Sequence, residues 1–158
     1  SMLAILISEI FQRATSATED GEALFYLLEK TLTSLNQNHK HLLCLESFKI
    51  KLLNLLGVMP DISRCSVCEK KWQQEQTIYL GNDGHLSCVT CYKDIKNQQE
   101  VSFNIMKLIH FLMHKEFSET TNIKLTTHEE ESLKRISNAF LQRYLDYELK
   151  TERIMALL

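Results

Sequence analysis

Four cysteines in two matched pairs are the residues of this sequence best suited to chemistry. The pairs are Cys65-x-x-Cys68 and Cys88-x-x-Cys91, with nineteen residues between them. Each pair forms a tight turn that aims two sulfur atoms at one point, so two turns supply the four ligands of a tetrahedral zinc site. Because four thiolates leave no open coordination position, the pattern predicts one structural zinc ion rather than a catalytic one.

Three other uses of these cysteines compete with zinc. Two disulfides would need an oxidising compartment, of which the sequence gives no sign. Thiol redox chemistry of the thioredoxin type needs a single Cys-x-x-Cys and does not explain a second, matched pair. An iron–sulfur cluster ranks third, because the two-plus-two spacing fits neither common ferredoxin pattern. His85, three residues before Cys88, is a replacement ligand that four cysteines make unnecessary.

The composition favours one helical domain. The 158 residues are 44% hydrophobic and include only one proline and four glycines, so long helices are expected rather than many short strands. The formal net charge is -2, and a zinc ion (+2) with four thiolates (-4) would bring it to about -4. Bulk charge therefore gives no sign of strong nucleic-acid affinity. The sequence has no apolar run that spans a bilayer and no signal peptide, and its free thiols favour a reducing, cytoplasmic compartment.

Hydrophobic spacing predicts five helices that would carry the cysteine segment. Their predicted ranges are 2–15, 22–36, 41–56, 103–115 and 127–150. Gly57 and Pro60 end the third helix, and Thr127 with Glu130 predicts a capping box at the start of the fifth. The core stripe of that last helix is predicted as Leu133, Ile136, Phe140, Tyr144 and Tyr147.

The segment between the cysteine pairs predicts a small hairpin. Two β-prone runs, 77–80 and 85–87, flank a Gly-Asn-Asp-Gly turn. The predicted fold class is therefore an all-α bundle of about five helices with an inserted four-cysteine zinc ribbon. We expect a single domain with a helical part (1–60), the ribbon (61–100) and a second helical part (101–158).

Several side chains on this frame have two interpretations each. Trp72 and Tyr92 closely follow a cysteine pair, and are expected to fill a small core, with base stacking as the alternative. His110 and His114 share a helix side but lack a third ligand, so we expect ordinary histidines. Cys44 is expected to be a buried structural thiol. The basic residues that crowd the ribbon are Arg64, Lys70, Lys71, Lys93 and Lys96.

Those five basic residues are matched between residues 61 and 96 by Asp61, Glu69, Glu75, Asp83 and Asp94, so a mixed, solvated surface is the default. A basic edge that binds phosphates is the alternative if folding separates the two signs. The sequence contains no phosphate-binding glycine loop, no metalloprotease motif and no defensible catalytic triad. We therefore expect that the protein is not an enzyme.

Taken together, these residues resemble the C-terminal region of RecO, a family of bacterial recombination mediators. The resemblance is strongest over residues 48–68, where a helix ends in Leu56-Gly57, Pro60 follows, and the first cysteine pair begins. The stretch Leu149-Lys150-Thr151 resembles the family's closing Leu-Lys-Ser motif, with threonine in place of serine. The match extends from about Leu3 to Met155 and is looser in both flanking helical regions.

The resemblance implies a non-catalytic factor for DNA repair and homologous recombination in the RecF pathway. RecO proteins bind single- and double-stranded DNA, anneal complementary strands and, with RecR, load the RecA recombinase onto DNA coated with single-strand-binding protein. They also carry an N-terminal OB-fold, which we do not expect in these 158 residues, and they are expected at the nucleoid. A basic edge formed by the ribbon residues named above would then contact DNA.

The resemblance also implies an apolar groove with a basic rim for the acidic, apolar C-terminal tail of single-strand-binding protein. Lys49 and Lys51, expected on the surface of the third helix, are the candidates for that rim. A protein-interaction module that binds RecR or this tail without touching DNA is the alternative function. A thiol redox or metal-dependent enzyme is a further alternative.

Overall fold

The computed structural model describes residues 2–15, 21–37, 40–93 and 99–157, with side chains as far as residue 147. This part of the chain forms five α-helices and one small sheet. The helices are α1 (Met2–Thr15), α2 (Gly21–Gln37), α3 (His41–Leu55), α4 (Phe103–His114) and α5 (Thr127–Leu157). The five predicted helices are confirmed, with ends that differ by a few residues. No helix in these ranges is both long and apolar enough to cross a membrane.

Helix α3 is the centre of the bundle, and the other four helices pack around it or against its neighbours. Every residue from Leu43 to Ile50 is buried, including polar ones. The burial continues around this part of the helix, whereas Leu55 at its end is 48% exposed. A helix buried on nearly all sides must satisfy its polar side chains internally.

Lys49 lies inside the helical bundle, where its side chain is only 5% exposed. The prediction that it lies on the surface is therefore wrong. Its Nζ donates to Oε1 of Glu46 at 3.1 Å and to Oδ1 of Asn138 on α5 at 2.7 Å. Ser137 also donates to Glu46. Burial of this charge is tolerated because an anion and a hydrogen-bonded amide accompany it.

The sheet has three antiparallel strands rather than the predicted two. They are β1 (Ile78–Leu80), β2 (Leu86–Cys88) and β3 (Gln99–Val101), in the order β2-β1-β3. The hairpin of β1 and β2 is confirmed, with Tyr79 opposite Ser87, while Tyr79 faces Glu100 across the other ladder. The described fold is thus mostly helical with a small sheet, and all-α only approximately.

Local capping departs from the prediction in one place and agrees in another. Gly57 follows α3 with a φ of 72°, the left-handed conformation expected after a helix. The capping box of α5 lies one residue earlier than predicted: Oγ1 of Thr126 accepts from the N–H of Glu129 at 3.2 Å, and Oε2 of Glu129 accepts from the N–H of Thr126 at 2.8 Å. A short 3-10 helix, Phe117–Thr120, occupies the predicted loop before it.

Helices and ribbon share one hydrophobic core. Leu80 and Leu86 of the hairpin belong to the same buried cluster as the side chains of α3, α4 and α5. The predicted core stripe of α5 is confirmed for its first four members, but Tyr147 is 66% exposed. Gly84, in the hairpin turn, lies so close to α5 that an added Cβ would be 3.1 Å from the carbonyl oxygen of Ala139. The ribbon is therefore docked on α5.

Candidate metal centre

The sulfur atoms of the four predicted ligands converge on one point. All four, from Cys65, Cys68, Cys88 and Cys91, lie within 4.8 Å of one another, and those of Cys68 and Cys88 are 3.9 Å apart. A tetrahedron with metal–sulfur bonds of about 2.3 Å has edges of about 3.8 Å. The 3.9 Å separation is nearly twice a disulfide bond of about 2.05 Å, so this pair is not bonded as cystine. The cluster has the size that one metal ion requires.

Local backbone geometry aims the first pair of sulfurs. The chain folds back between Arg64 and Lys71, and the N–H of Cys65 donates to the carbonyl of Lys70 at 3.0 Å. The N–H of Glu69 donates to the carbonyl of Cys65 at 3.0 Å. Glu69 itself has a φ of 61°, a left-handed conformation that an L-residue adopts at some cost. This tight turn brings Cys68 back toward Cys65.

The second pair is carried by the end of β2. The N–H groups of Cys91 and Tyr92 both donate to the carbonyl of Cys88, at 3.1 and 3.0 Å. The N–H of Ser66, in the first turn, donates to the carbonyl of Leu86 at 2.8 Å. This bond ties the two turns together, so the sheet positions all four ligands.

The electrostatics of the cluster favour a bound cation. Burial raises the pKa of Cys65, but N–H groups from Cys68, Cys88 and Val67 outweigh it and lower that pKa to about 6. The neighbouring Cys88 sulfur, followed by burial, raises the pKa of Cys91 to about 12. One sulfur therefore ionises readily while another resists a second negative charge beside it. A divalent cation among the sulfurs removes that repulsion, so the donor set fits a metal ion.

The aromatic residues of the ribbon are packed. Trp72 is buried, and its Nε1 donates to the carbonyl of Ile62 at 2.9 Å. Tyr92 is half-buried and stacks on Tyr79 with ring centroids 4.7 Å apart. Trp72 is packed in the core as expected, although that core is shared with the helices, whereas Tyr92 remains only half-buried.

The other candidate ligands lie elsewhere. Nδ1 of His85 pairs with Oδ2 of Asp83 at 3.0 Å and does not join the sulfur cluster. His110 and His114 contact each other on the exposed side of α4, and the described residues add no third ligand to them. Cys44 is buried beside Ser34, and burial raises the pKa of its thiol, as a structural cysteine requires.

The basic residues of the ribbon are spread over its surface. Lys70, Lys71 and Lys93 are exposed, and Arg64 pairs with Asp61 at 2.9 Å. Lys96 lies outside the described residues. The described charges are therefore partly mixed, as the default interpretation expects.

Lys51, the other candidate for partner binding, is half-buried. Its Nζ donates to the carbonyl of Lys115 and lies 5.6 Å from the ring centroid of Phe117. Burial lowers the pKa of Lys51, while the negative charges of Glu116 and Glu119 act in the opposite direction. The side chain is thus already surrounded by this chain's own groups.

Two surface depressions were not predicted from the sequence. The first, which we name the α5 cleft, lies between the hairpin turn and α5 and includes Arg135 and Arg143. The second, the leucine groove, lies between the start of α3 and the segment before α5, with Lys40 and Lys124 on its rim. The only sequence signal for the α5 cleft is the presence of two arginines, Arg135 and Arg143, eight residues apart on one helix.

Fold and site together define the class of protein: a helical domain with a four-cysteine ribbon, able to hold a metal ion, inserted between its third and fourth helices. The family model for the C-terminal part of recombination protein O matches residues 1–153 of the chain. The chain therefore belongs to the RecO family, as the resemblance indicated.

Curated relatives agree with this assignment. The chain is 26% identical over 155 residues to the DNA repair protein RecO of Thermoanaerobacter, covering 95% of this chain and 60% of that protein. It is 29% identical over 125 residues to the protein of the same name from Dehalococcoides mccartyi, covering 79% of this chain and 49% of that protein. The chain is 24% identical over 152 residues to the DNA repair protein RecO of Desulforamulus reducens, and this match covers 96% of this chain and 59% of that protein. The chain thus spans 60% or less of the length of these relatives.

Proposed function

We propose that this chain is the metal-ribbon and helical part of a non-catalytic mediator of DNA repair and homologous recombination. The family match carries this proposal, and the convergence of four sulfurs in the helical frame supports it. The mediator would act with RecR in the RecF pathway, in the cytoplasm at the bacterial nucleoid, to load RecA onto DNA coated with single-strand-binding protein.

The metal in this proposal is zinc, held by Cys65, Cys68, Cys88 and Cys91. Four thiolates at tetrahedral spacing suit zinc, and a closed site has a structural role. Elemental analysis of untreated protein, with a count of cysteines that react with a thiol reagent, tests the assignment. One zinc per chain with four protected thiols is expected. Four rapidly reacting thiols and no metal would instead favour redox chemistry.

Annealing needs no bond-making chemistry, only a surface that brings two strands together and then releases the duplex. The basic ribbon residues, Arg64, Lys70, Lys71, Lys93 and Lys96, are the proposed contacts, and three of them are exposed lysines in the described part. Because such contacts release counterions, annealing should weaken as salt rises. The test mixes two complementary labelled strands with the chain over a salt series. Annealing that is unchanged by the chain at low salt would exclude this activity.

A protein-interaction role is the second candidate, and the leucine groove favours it. The groove has a volume of about 440 Å³ and a floor of leucine and isoleucine side chains. Its lining also contains three basic or titratable residues, Lys40, His41 and Lys124, but a single acidic residue, Glu130. That combination suits the acidic, apolar tail of single-strand-binding protein. Around Lys51, in contrast, Lys30 and Lys51 meet Glu22 and Glu116, so the charges balance.

A labelled peptide with the sequence of that tail distinguishes the leucine groove from the surface around Lys51. Lys124→Glu should weaken peptide binding, whereas the matched exposed change Lys30→Glu should not. The reverse result would move the tail to the surface around Lys51. Peptide binding together with no effect on complementary strands would favour the interaction role over annealing.

A further inference from the structure

The α5 cleft contains two arginines, and neither forms an ion pair with the described residues. It encloses about 780 Å³ between the hairpin turn, which contributes Asn82 and His85, and α5, which contributes Arg135 and Arg143. Exposed Tyr147 lies on its wall. The cleft is close to the sulfur cluster but separate from it.

The two arginines have hydrogen-bonding capacity to spare. Nε of Arg135 is buried without a hydrogen-bond partner in the described structure, and only its Nη2 contacts a neighbour, Oγ of Ser132 at 3.3 Å. Arg143 makes no ion pair or hydrogen bond within the described residues. Eight residues along a helix amount to about 12 Å, and the two side chains share one side of α5. Two guanidinium groups that form no ion pair with the described residues and lie on one side of a helix are suited to two anionic groups of one ligand.

The carboxylates of the cleft are occupied by other donors. Asp83 accepts from the N–H of His85 at 3.1 Å and pairs with its Nδ1 at 3.0 Å. Asp146 accepts from Nε2 of Gln142 at 2.8 Å. Neither carboxylate pairs with an arginine, although their charges keep the cleft from being strongly basic. Any anion would therefore be held by a few directed contacts rather than by a strong general field.

The cleft continues toward the ribbon. His85 and Arg143 also line the adjoining depression that contains Arg64, and Arg64 bridges to Lys71 across the first cysteine turn. Arg64 and Arg143 thus connect the ribbon surface with the side of α5 that carries Tyr147, although Asp61, which pairs with Arg64, and Glu69 also line the adjoining depression. Basic side chains in line with an exposed aromatic ring are the combination that binds single-stranded nucleic acid.

We propose that the α5 cleft binds single-stranded nucleic acid, with Arg135 and Arg143 each contacting a backbone phosphate and Tyr147 stacking on a base. This inference rests on the proposed role in DNA repair and assigns part of its strand-binding surface to α5. Few phosphates are contacted, so the binding should depend only moderately on salt.

The test measures the anisotropy of a fluorescein-labelled oligodeoxythymidine titrated with the 158-residue chain at several salt concentrations. R135Q/R143Q should lower the slope of log affinity against log salt by about 1.4, because each phosphate contact on a single strand contributes about 0.7. Affinity at low salt should fall roughly tenfold or more. The matched control K107Q/K134Q removes two exposed lysines outside the cleft and should leave the slope unchanged.

A second pair of variants separates stacking from charge. Tyr147→Leu should weaken binding at every salt concentration without changing the slope, and Tyr147→Phe should restore the affinity. Unchanged metal content and circular dichroism of each variant would show that the fold is retained.

The outcomes distinguish this inference from the proposed function. If the wild-type chain binds the strand and R135Q/R143Q binds with the same slope, the cleft is not the strand site, while the repair role stands. Equal losses in R135Q/R143Q and K107Q/K134Q would likewise refute a specific cleft contact. If the wild-type chain binds no strand at any salt concentration, both this inference and strand annealing by the chain are refuted, and the interaction role gains support.

Discussion

Gly84 is the point at which the ribbon touches α5, and its replacement by alanine should break that contact. Its φ of 78° is a left-handed conformation, which costs an L-residue about 1–2 kcal/mol. The new Cβ would also meet the carbonyl oxygen of Ala139 at 3.1 Å and Cβ of Arg143 at 3.3 Å. Overpacking of this kind costs about 1–3 kcal/mol. We expect Gly84→Ala to lower the free energy of unfolding by about 2–5 kcal/mol.

Gly57 provides the matched control. It has nearly the same φ, 72°, but an added Cβ there would meet nothing within 4 Å. Gly57→Ala should therefore cost only the backbone contribution of about 1–2 kcal/mol. The difference between the two variants isolates the packing of the hairpin turn on α5.

Two probes of urea unfolding test this reasoning. Trp72 is the chain's single tryptophan and lies buried in the ribbon, so its fluorescence follows the ribbon, whereas far-ultraviolet circular dichroism follows the helices. Gly57→Ala should shift both transitions together. Gly84→Ala should shift them further and separate them, because the ribbon loses its contact with α5. Equal midpoints for the two variants would refute the close approach of the turn to the helix.

Three further changes test the metal site, the buried ion pair and the first cysteine turn. Cys65→Ser should reduce the zinc content measured by elemental analysis and disturb Trp72 fluorescence more than helical circular dichroism; equal loss of both signals would count against a separable ribbon. Lys49→Met should lower the free energy of unfolding in urea by about 3–5 kcal/mol because it leaves Glu46 buried without its cation, and E46M/K49M should recover most of that loss. A loss below about 1 kcal/mol in the single variant would show that Glu46 becomes hydrated instead. Glu69→Gly should raise stability in thermal unfolding by about 0.5–1 kcal/mol, since relief of the positive φ outweighs the entropy of glycine, whereas Glu69→Ala should bring no gain.

The parts of the structure that were predicted correctly depend on residues close together in the chain. Each cysteine turn is complete within a few residues, so spacing alone indicated that both turns could aim sulfurs at one point. The buried residues of α2, Leu24, Leu27, Thr31 and Leu35, repeat with the period of a helix, which is why the range of this helix could be predicted. Gly57 ended α3 where a helix-ending glycine was expected.

The parts that were missed depend on distant neighbours. Strand β3 exists because it pairs with β1, about twenty residues earlier, and three residues are too few to show an alternating pattern. The capping box was misplaced because two consecutive threonines, Thr126 and Thr127, are each followed three residues later by a glutamate, and only the folded chain selects the first.

Lys49 shows a third limit of the sequence pattern. Glu46 and Lys49 are three residues apart, as many exposed helical ion pairs are, and nothing in their spacing distinguishes an inward from an outward pair. The distinction comes from Asn138 and Ser137 of α5, which are about ninety residues away and complete the network. Lys51, two residues further along α3, faces a different neighbourhood and keeps part of its surface exposed.

The cysteine cluster is connected to the helical bundle through the strands of the sheet. A metal ion bound by the cysteines would therefore stabilise more than the two cysteine turns. Cys88 is the last residue of β2, β2 pairs with β1, and β1 pairs with β3, which leads directly through Ser102 into α4. The same hairpin places His85 beside Arg143 in the cleft. We propose that residues 61–100 remain the useful boundary of the insertion, although β3 crosses its end. In the proposed function, zinc would therefore organise the proposed strand-binding surface without contacting the strand, because it would fix the strand ends from which that surface is built.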